Sequence, residues 1–243
     1  MFGNHSTTPV LALLAVLIGI YGCGDDDGDA GSISVHLIHE VDGQPLEFNT
    51  GTYTNAAGNS YQVTRLEYII SDVRLEKTNG KSVLLKDFHY ADIDDEASHI
   101  FTAGKVAAGN YSALLLTFGI GGADNSFGNL PNSVEYNSME WPAPMGGGTA
   151  RYHYMRLEGD YQSGNDSGSF LAHTGPSGGM DFSIPVRLPL ALGIDGGDWQ
   201  LDVTMNINHW FSGPNLYDFV GRAGIMGNAD AQLVLQENGS DVF

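Results

Sequence analysis

The residues of this sequence best suited to metal or redox chemistry lie within residues 139–175. This segment holds a concentration of imidazole, thioether and indole side chains: Trp141, Met145, His153, Met155 and His173. The whole chain has only eight histidines, seven methionines and three tryptophans. Imidazole nitrogen and thioether sulfur are the donors that soft and borderline transition metals prefer. The segment therefore indicates either a copper-type site beside an oxidisable tryptophan or an ordinary patch of β-sheet core.

The spacing of the histidines does not form a local metal-binding motif. The sequence contains no HxH, HxxxH or HExxH pattern, so a metal site would need ligands from separate strands. His39 and His209 fall on the apolar faces of predicted strands, while His89 and His173 fall at strand ends. A single histidine at such a position is more often a buried side chain bonded to the backbone. Spacing alone leaves both interpretations open.

Catalytic patterns are weaker still. Glu140 and Glu158 could act as a carboxylate pair like that of glycosidases, but nothing in the sequence fixes their separation. The acidic residues between positions 92 and 96 lack the spacing of an EF-hand. We therefore predict a binding protein and not an enzyme.

The elements that must position these residues are predicted to be β-strands. Alternation of apolar and polar residues, typical of half-buried strands, is clearest in residues 32–39 and 199–211. Turn signals separate the predicted strands, which are residues 32–39, 61–75, 82–85, 111–120, 152–158, 182–188, 199–211 and 231–236. Two long loops, residues 121–150 and 162–179, are predicted to be functional. No segment of helical length has a 3.6-residue period, so we predict an all-β fold, a single β-sandwich or jelly-roll-like domain.

The net charge limits the possible binding partners, and the cysteine count limits the possible disulfide bonds. Twenty-nine acidic residues against ten basic ones give a formal net charge of −19. Such a charge repels nucleic acid and anionic membrane surfaces, so neither is expected as a partner. With Cys23 as the only cysteine, no intramolecular disulfide can form.

The N-terminal residues have the pattern of a targeting segment. Residues 9–21 form an apolar run of about a dozen residues, too short for a comfortable transmembrane helix. The run leads to Gly22 and Cys23, which is similar to the lipobox of bacterial lipoproteins. We therefore predict a signal peptide over residues 1–22, a lipid anchor on Cys23, an acidic glycine-rich tether over residues 23–31 and a folded domain over residues 32–243. The anchor would be the only contact with a membrane.

Several segments, spread over nearly the whole chain after the tether, carry a family resemblance. They are TNAAGN near position 55, VTRLEYIIS at 63–71, DFHY at 87–90, FGIG at 118–121, MEWP at 139–142, YHYMRLEG at 152–159 and HTG at 173–175. In this order they resemble the MbnP-like family of copper-binding proteins of bacterial periplasms and cell surfaces. The resemblance implies a β-rich extracytoplasmic domain that binds copper through histidines. In some members a tryptophan beside the metal is oxidised to kynurenine by a partner diheme peroxidase.

Carried onto this sequence, the resemblance assigns candidate residues. Trp141 matches the tryptophan of the family's M-x-W segment, His173 the histidine of its H-x-G segment, and His153 a Y-H-x-M segment of part of the family. His39 and His89 match further histidine positions. Ala143 stands where many relatives have a second tryptophan, and the four cysteines of one branch are absent.

The sequence thus supports two hypotheses. In the first, the chain is a lipid-anchored copper-binding protein of the periplasm or cell surface, at the outer membrane, with a diheme peroxidase as a partner. Copper would be held by two or three imidazoles, from His173, His153 and His39, next to Trp141, with Met155 or Met145 adding a thioether. In the second, it is a metal-free surface β-sandwich that binds a glycan or protein through exposed aromatics. Trp141, Tyr152 and Tyr154 would form that platform.

Overall fold

The computed structural model describes residues 28–142, 152–222 and 224–243. Within these ranges, two β-sheets pack face to face as one sandwich-like domain, which confirms the predicted all-β fold. The predicted signal peptide, the Cys23 anchor, Met145 and Ala143 lie outside the described residues.

The strands have the following bounds. In chain order they are β1 (Gly31–Val41), β2 (Gln44–Pro45), β3 (Tyr53–Thr54), β4 (Ser60–Lys77), β5 (Ser82–Asp92), β6 (Ile100–Val106), β7 (Gly109–Phe118), β8 (Met155–Ser163), β9 (Asp166–Thr174), β10 (Ile184–Ile194) and β11 (Asp198–Asn206). The smaller sheet is centred on β1, which pairs in parallel with β11 and antiparallel with β2 and β6. The larger sheet is antiparallel, in the order β10-β7-β4-β8-β9, and β3 and β5 also pair with β4.

The space between the sheets is filled by a main core with side chains from both. Strand β1 alternates strictly between buried and half-buried residues, as expected when one face meets the core. At one end of the core, aromatic rings from both sheets and from the segment after β11 pack together, and Phe170 stacks on Phe219 with centroids 4.2 Å apart. Burial of this apolar surface supplies most of the free energy that holds the sheets together.

A second apolar layer covers the opposite, outer face of the larger sheet. It is formed by an outer cluster of buried residues: Ile69, Ile120, Leu130, Met139, Tyr152, Tyr154 and Phe182. Within β4 the alternation is clear, since Tyr68 and Ile70 face the main core while Ile69 belongs to the outer cluster. The long loop between β7 and β8 therefore folds back over the outer face of the sheet.

Helical structure is limited to short segments in the described part of the chain. There are two α-helices, α1 (Val134–Ser138) and α2 (Ala229–Asn238). Single 3₁₀ turns occur at Glu96–His99, Gly122–Asp124, Ile207–Phe211 and Gly239–Asp241. None of the described helices has the length and apolar composition needed to cross a bilayer.

The strand predicted for residues 231–236 is wrong, because this segment lies within α2. Its buried residues are Ala231, Gln232, Leu235 and Asn238, which share one face at helical spacing. Two of the four are polar, so the buried face does not register as an apolar stripe. The start of α2 is fixed by Asn228, whose side chain accepts a hydrogen bond from the backbone N–H of Ala231.

Three other predicted boundaries differ from the structure. Strand β11 ends at Asn206, whose side chain accepts a hydrogen bond from the Asn208 N–H and turns the chain into a 3₁₀ segment. The predicted loop at residues 162–179 is largely the hairpin of β8 and β9. Strand β8 begins at Met155, so the alternation assumed for residues 152–158 does not hold at its start.

Candidate metal centre

His173 lies on the outer face of the larger sheet. It is in β9, where its neighbours Phe170 and Ala172 face the main core, so by strand alternation His173 faces the opposite side. Its partner across the ladder is Arg156 of β8. Strand geometry therefore places the imidazole under the loop that covers this face.

The same loop brings His153 and Trp141 to His173. The backbone N–H of His153 donates to the carbonyl oxygen of Met139 at 2.7 Å, which holds these two parts of the loop together. The rings of His153 and His173 meet edge to face, with centroids 5.2 Å apart and planes at 79°. The Trp141 ring lies 4.6 Å from that of His153, at 75°. The three rings form one continuous group, buried to 1% exposure for Trp141, 5% for His153 and 8% for His173.

Hydrogen bonds fix which nitrogen of each imidazole carries its proton. The Nδ1 of His153 lies 3.1 Å from the carbonyl oxygen of Met139, and the Nε2 of His173 lies 2.8 Å from Oε1 of Glu158. Carbonyl and carboxylate oxygens accept hydrogen bonds, so these two nitrogens are the donors. The remaining nitrogens, Nε2 of His153 and Nδ1 of His173, then carry lone pairs. Both are buried and have no hydrogen-bond partner.

Burial keeps both imidazoles neutral. Desolvation, reinforced by His173, lowers the pKa of His153 to about 3. Desolvation also lowers the pKa of His173, although the hydrogen bond and charge of Glu158 oppose that shift. Neutral imidazole is the form that binds metal ions. The pair is therefore in its metal-binding protonation state at neutral pH.

An ion-pair network holds Glu158 in position. Arg65 donates to Glu67 at 2.9 Å and to Glu158 at 3.3 Å, and Arg156 donates to Glu67 at 3.2 Å. All four side chains come from β4 and β8, which are neighbours in the sheet, and point to its outer face. Sequence reasoning named only Glu158 of this network. The i, i+2 pairs Arg65/Glu67 and Arg156/Glu158 carried the signal, but the strand register was needed to read it.

Gln232 of α2 supports the chain around His173. Its Nε2 donates to the carbonyl oxygen of His173 at 2.8 Å, and its Oε1 accepts from the N–H of Gly175 at 3.1 Å. The residue is fully buried. Gly175 in turn packs against Trp141, because a Cβ atom at this position would lie 2.7 Å from Cε3 of the indole. No role was predicted from sequence for Gln232, because α2 was predicted to be a strand, and Gly175 was named only as part of the HTG segment.

Comparison with known proteins decides the family. A sequence model of the MbnP family matches residues 30–227, a range that contains the whole ring group and its network. The chain belongs to the MbnP family. The structure also resembles MbnP from Methylosinus trichosporium, with a TM-score of 0.51, 10% sequence identity and coverage of 82% of this chain and 83% of that one. At this identity the likeness shows a shared MbnP fold. Among curated protein sequences there is no significant match.

Not all candidate residues of this MbnP family member meet at the ring group. His39 faces the main core, where its Nε2 lies 3.0 Å from the hydroxyl of Tyr68. It is thus on the other side of the larger sheet from His173. His89 donates from Nε2 to the carbonyl of Ser98 at 2.7 Å, and Met155 is buried in the main core. Among the described residues no group of three or more His, Cys, Asp or Glu side chains is arranged to hold a metal. The structure therefore brings together two imidazoles and one indole.

Proposed function

We propose that this chain is an extracytoplasmic copper-binding protein that holds Cu(I) between His153 and His173, next to Trp141. The observation that carries the proposal is the pair of buried imidazole nitrogens with lone pairs and no hydrogen-bond partner. Each buried acceptor left unsatisfied costs about 1–3 kcal/mol. A bound cation would satisfy both at once, which makes the fit to a metal better than the fit to a plain hydrophobic core.

The donor set favours copper in its monovalent state. Two neutral imidazoles supply soft-to-borderline nitrogen donors. The neighbouring carboxylates are already engaged, Glu158 by His173 and Glu67 by Arg65 and Arg156. Structural zinc sites take four protein ligands and hard cations take six or more oxygens. Cu(I) accepts low coordination numbers and nitrogen or sulfur donors. Glu158 and the Met139 carbonyl would orient the two rings, as hydrogen-bonded partners do in known metal sites.

We further propose that Trp141 is the oxidisable residue of the site and that the protein has no catalytic turnover of its own. The indole lies against His153, and its Nε1 is also buried without a partner. Conversion to kynurenine would cleave the C2–C3 bond of the indole, release C2 as formate, and leave a ketone oxygen and the former indole nitrogen as an aromatic amine next to the metal. This oxidation needs an external oxidant, and the family resemblance suggests that a partner diheme peroxidase would supply it from hydrogen peroxide.

The location of the protein is also a proposal. The sequence before the domain supports a signal peptide and a lipid anchor on Cys23. We therefore place the protein in the periplasm or on the cell surface, anchored at the outer membrane. Radiolabelled palmitate incorporation that is lost in Cys23→Ala would support the anchor, and unchanged labelling would contradict it.

Copper titration tests the main proposal. The purified protein is titrated with Cu(I) against a competing chromogenic chelator, and we expect one tight equivalent that is lost in His153→Ala and in His173→Ala. His209→Ala is the matched control, since His209 is half-exposed and its Nδ1 bonds to the carbonyl of Asp241. Unchanged affinity in the double variant of His153 and His173 would refute the site.

Intact mass and peptide mapping test the role of Trp141. Co-expression with a diheme peroxidase should raise the mass of the Trp141 peptide by the difference between one oxygen and one carbon atom. The other two tryptophans, Trp199 and Trp210, serve as internal controls. Oxidation spread over all three would contradict a specific role for Trp141.

The alternative function, binding of a glycan or protein through exposed aromatic rings, is not favoured, because the three rings proposed for it are buried. Trp141 is 1% exposed, Tyr152 4% and Tyr154 1%. Exposed aromatic faces are what such a platform needs. These rings belong to the interior, two of them to the outer cluster.

A further inference from the structure

We propose that His39 and His99 form a second binding site for Cu(I), on the opposite side of the larger sheet from His153 and His173. This inference does not depend on copper binding at the first pair. It rests on the ring geometry, the hydrogen bonds that orient both imidazoles, and the neighbouring side chains.

The two rings have a geometry close to that of the first pair. Their centroids lie 5.0 Å apart with planes at 65°, against 5.2 Å and 79° for His153 and His173. His39 is on β1 and His99 ends the 3₁₀ turn that leads into β6, which pairs with β1. The ligands would therefore come from two segments that the sheet already holds together.

Each ring is anchored through Nε2, which leaves Nδ1 for a metal. His99 Nε2 donates to the carbonyl oxygen of Asp92 at 2.9 Å, so its Nδ1 carries the lone pair. His39 Nε2 lies 3.0 Å from the hydroxyl of Tyr68. Since a hydroxyl can donate or accept, Tyr68 lets His39 keep its proton on Nε2 and present Nδ1 as a ligand. Such outer hydrogen bonds are the usual way in which ligating histidines are oriented.

The surroundings favour a soft monovalent ion over a hard divalent one. Met205 is the direct partner of His39 in the parallel β1–β11 ladder, so both side chains lie on the core-facing side. Its thioether is a third soft donor within the same part of the fold. The carboxylates of Asp92 and Asp202 are directed elsewhere, to the Asp94 N–H and Tyr90 hydroxyl and to His36 respectively.

The second site differs from the first in access. His99 is partly exposed at the surface turn, whereas His153 and His173 are both buried under a loop. We therefore expect copper at His39 and His99 to exchange faster and to bind more weakly than at the first pair.

The test uses full-length protein in which the first site is removed by His153→Ala with His173→Ala. Titrated with Cu(I) against a weak chelator, this protein should still bind one equivalent, and that equivalent should be lost when His99→Ala is added. His36→Ala is the matched control, because His36 is on the same strand but faces away from the core. If the wild-type protein shows no tight Cu(I) binding at His153 and His173 but this equivalent persists, the first proposal is refuted and only the second survives. No binding in the double variant, or binding unaffected by His99→Ala, overturns it.

A second measurement tests His39 as a ligand without replacing its buried ring. Ag(I), a diamagnetic soft monovalent ion, is added to ¹⁵N-labelled protein, and the imidazole nitrogens are observed in long-range ¹H–¹⁵N spectra. The Nδ1 signals of His39 and His99 should shift while their Nε2 signals keep the pattern of a protonated nitrogen. Shifts confined to other histidines would refute the proposed ligands.

Discussion

Replacing Gly175 by alanine would test how tightly the glycine–indole contact defines the ring group. A Cβ atom at this position would lie 2.7, 2.8 and 3.0 Å from three atoms of the Trp141 ring. Carbon atoms pack best at about 3.5–4.0 Å, so one of the two elements must move by about 0.8–1 Å. The backbone of Gly175 does not have a positive φ. The effect is therefore steric and not conformational.

The sign and size of the effect follow from two opposing terms. Overpacking a tight interior costs about 1–3 kcal/mol. Replacing glycine by alanine in a compatible conformation returns about 0.4–1 kcal/mol by restricting the unfolded chain. We expect Gly175→Ala to lower the free energy of unfolding by about 1–2 kcal/mol in urea. It should also weaken Cu(I) binding, because the displaced indole adjoins His153.

A control and a double-mutant cycle separate this explanation from others. Gly227→Ala meets nothing within 4 Å and also lacks a positive φ, so it should be neutral or slightly stabilising. Adding Gly175→Ala to Trp141→Ala should cost little, because the new methyl enters space that the indole has left. Wild-type stability and copper affinity in Gly175→Ala would refute the reasoning.

Three further outcomes are expected. Glu158→Gln should weaken Cu(I) binding by about 10–100-fold, since it loosens the orientation of His173; chelator competition measures this, and unchanged affinity would speak against it. Gln232→Ala should lower the free energy of unfolding by about 2–4 kcal/mol, because it removes three buried hydrogen bonds, those to the carbonyl oxygens of His173 and Ile225 and that from the Gly175 N–H; urea unfolding measures it, and a loss below about 1 kcal/mol would argue against these bonds. Burial raises the pKa of Asp181, but hydrogen bonds, including that of Tyr154, outweigh this and the net pKa is lowered. The ionised Asp181 therefore stabilises the folded protein above its ordinary pKa of about 4, and this stabilisation is lost as the pH falls through the lower pKa of the folded state. Asp181→Asn should make the free energy of unfolding fall less steeply at acid pH, and an unchanged acid dependence would contradict the shift.

The sequence contained enough to predict the fold class. The strict alternation of β1 and the glycine-rich turns indicate strands whatever their pairing. Strand pairing and register are set by tertiary packing, which alternation does not encode. A related limit explains why α2 was not predicted as a helix. Buried Gln232 and Asn238 interrupt the apolar pattern of its buried face, so hydropathy does not reveal its helical period.

The candidate site was partly predictable for a similar reason. Trp141, His153 and His173 lie in one short segment, so their proximity followed from chain connectivity. His39 was expected to join them, but it projects from β1 into the main core, while His173 projects from β9 to the outer face. Deciding between these faces requires knowing how the sheets are layered, since a shift of one residue reverses the direction of a side chain. Arg65, Glu67 and Arg156 depend on the β4–β8 register in the same way.

The bridge from Gln232 to His173 and Gly175 links helix α2 to the candidate metal centre. Helix α2 docks through this side chain onto the two backbone groups that border the ring group. Any ion that binds the intact site and not the opened one stabilises the docked helix through mass action. Hydrogen exchange in α2 should therefore slow when copper is added and return to its original rate when a chelator removes it. Helix α2 would then report the metal occupancy of a site whose nearer ligand, His173, lies 59 residues before Gln232 in the chain.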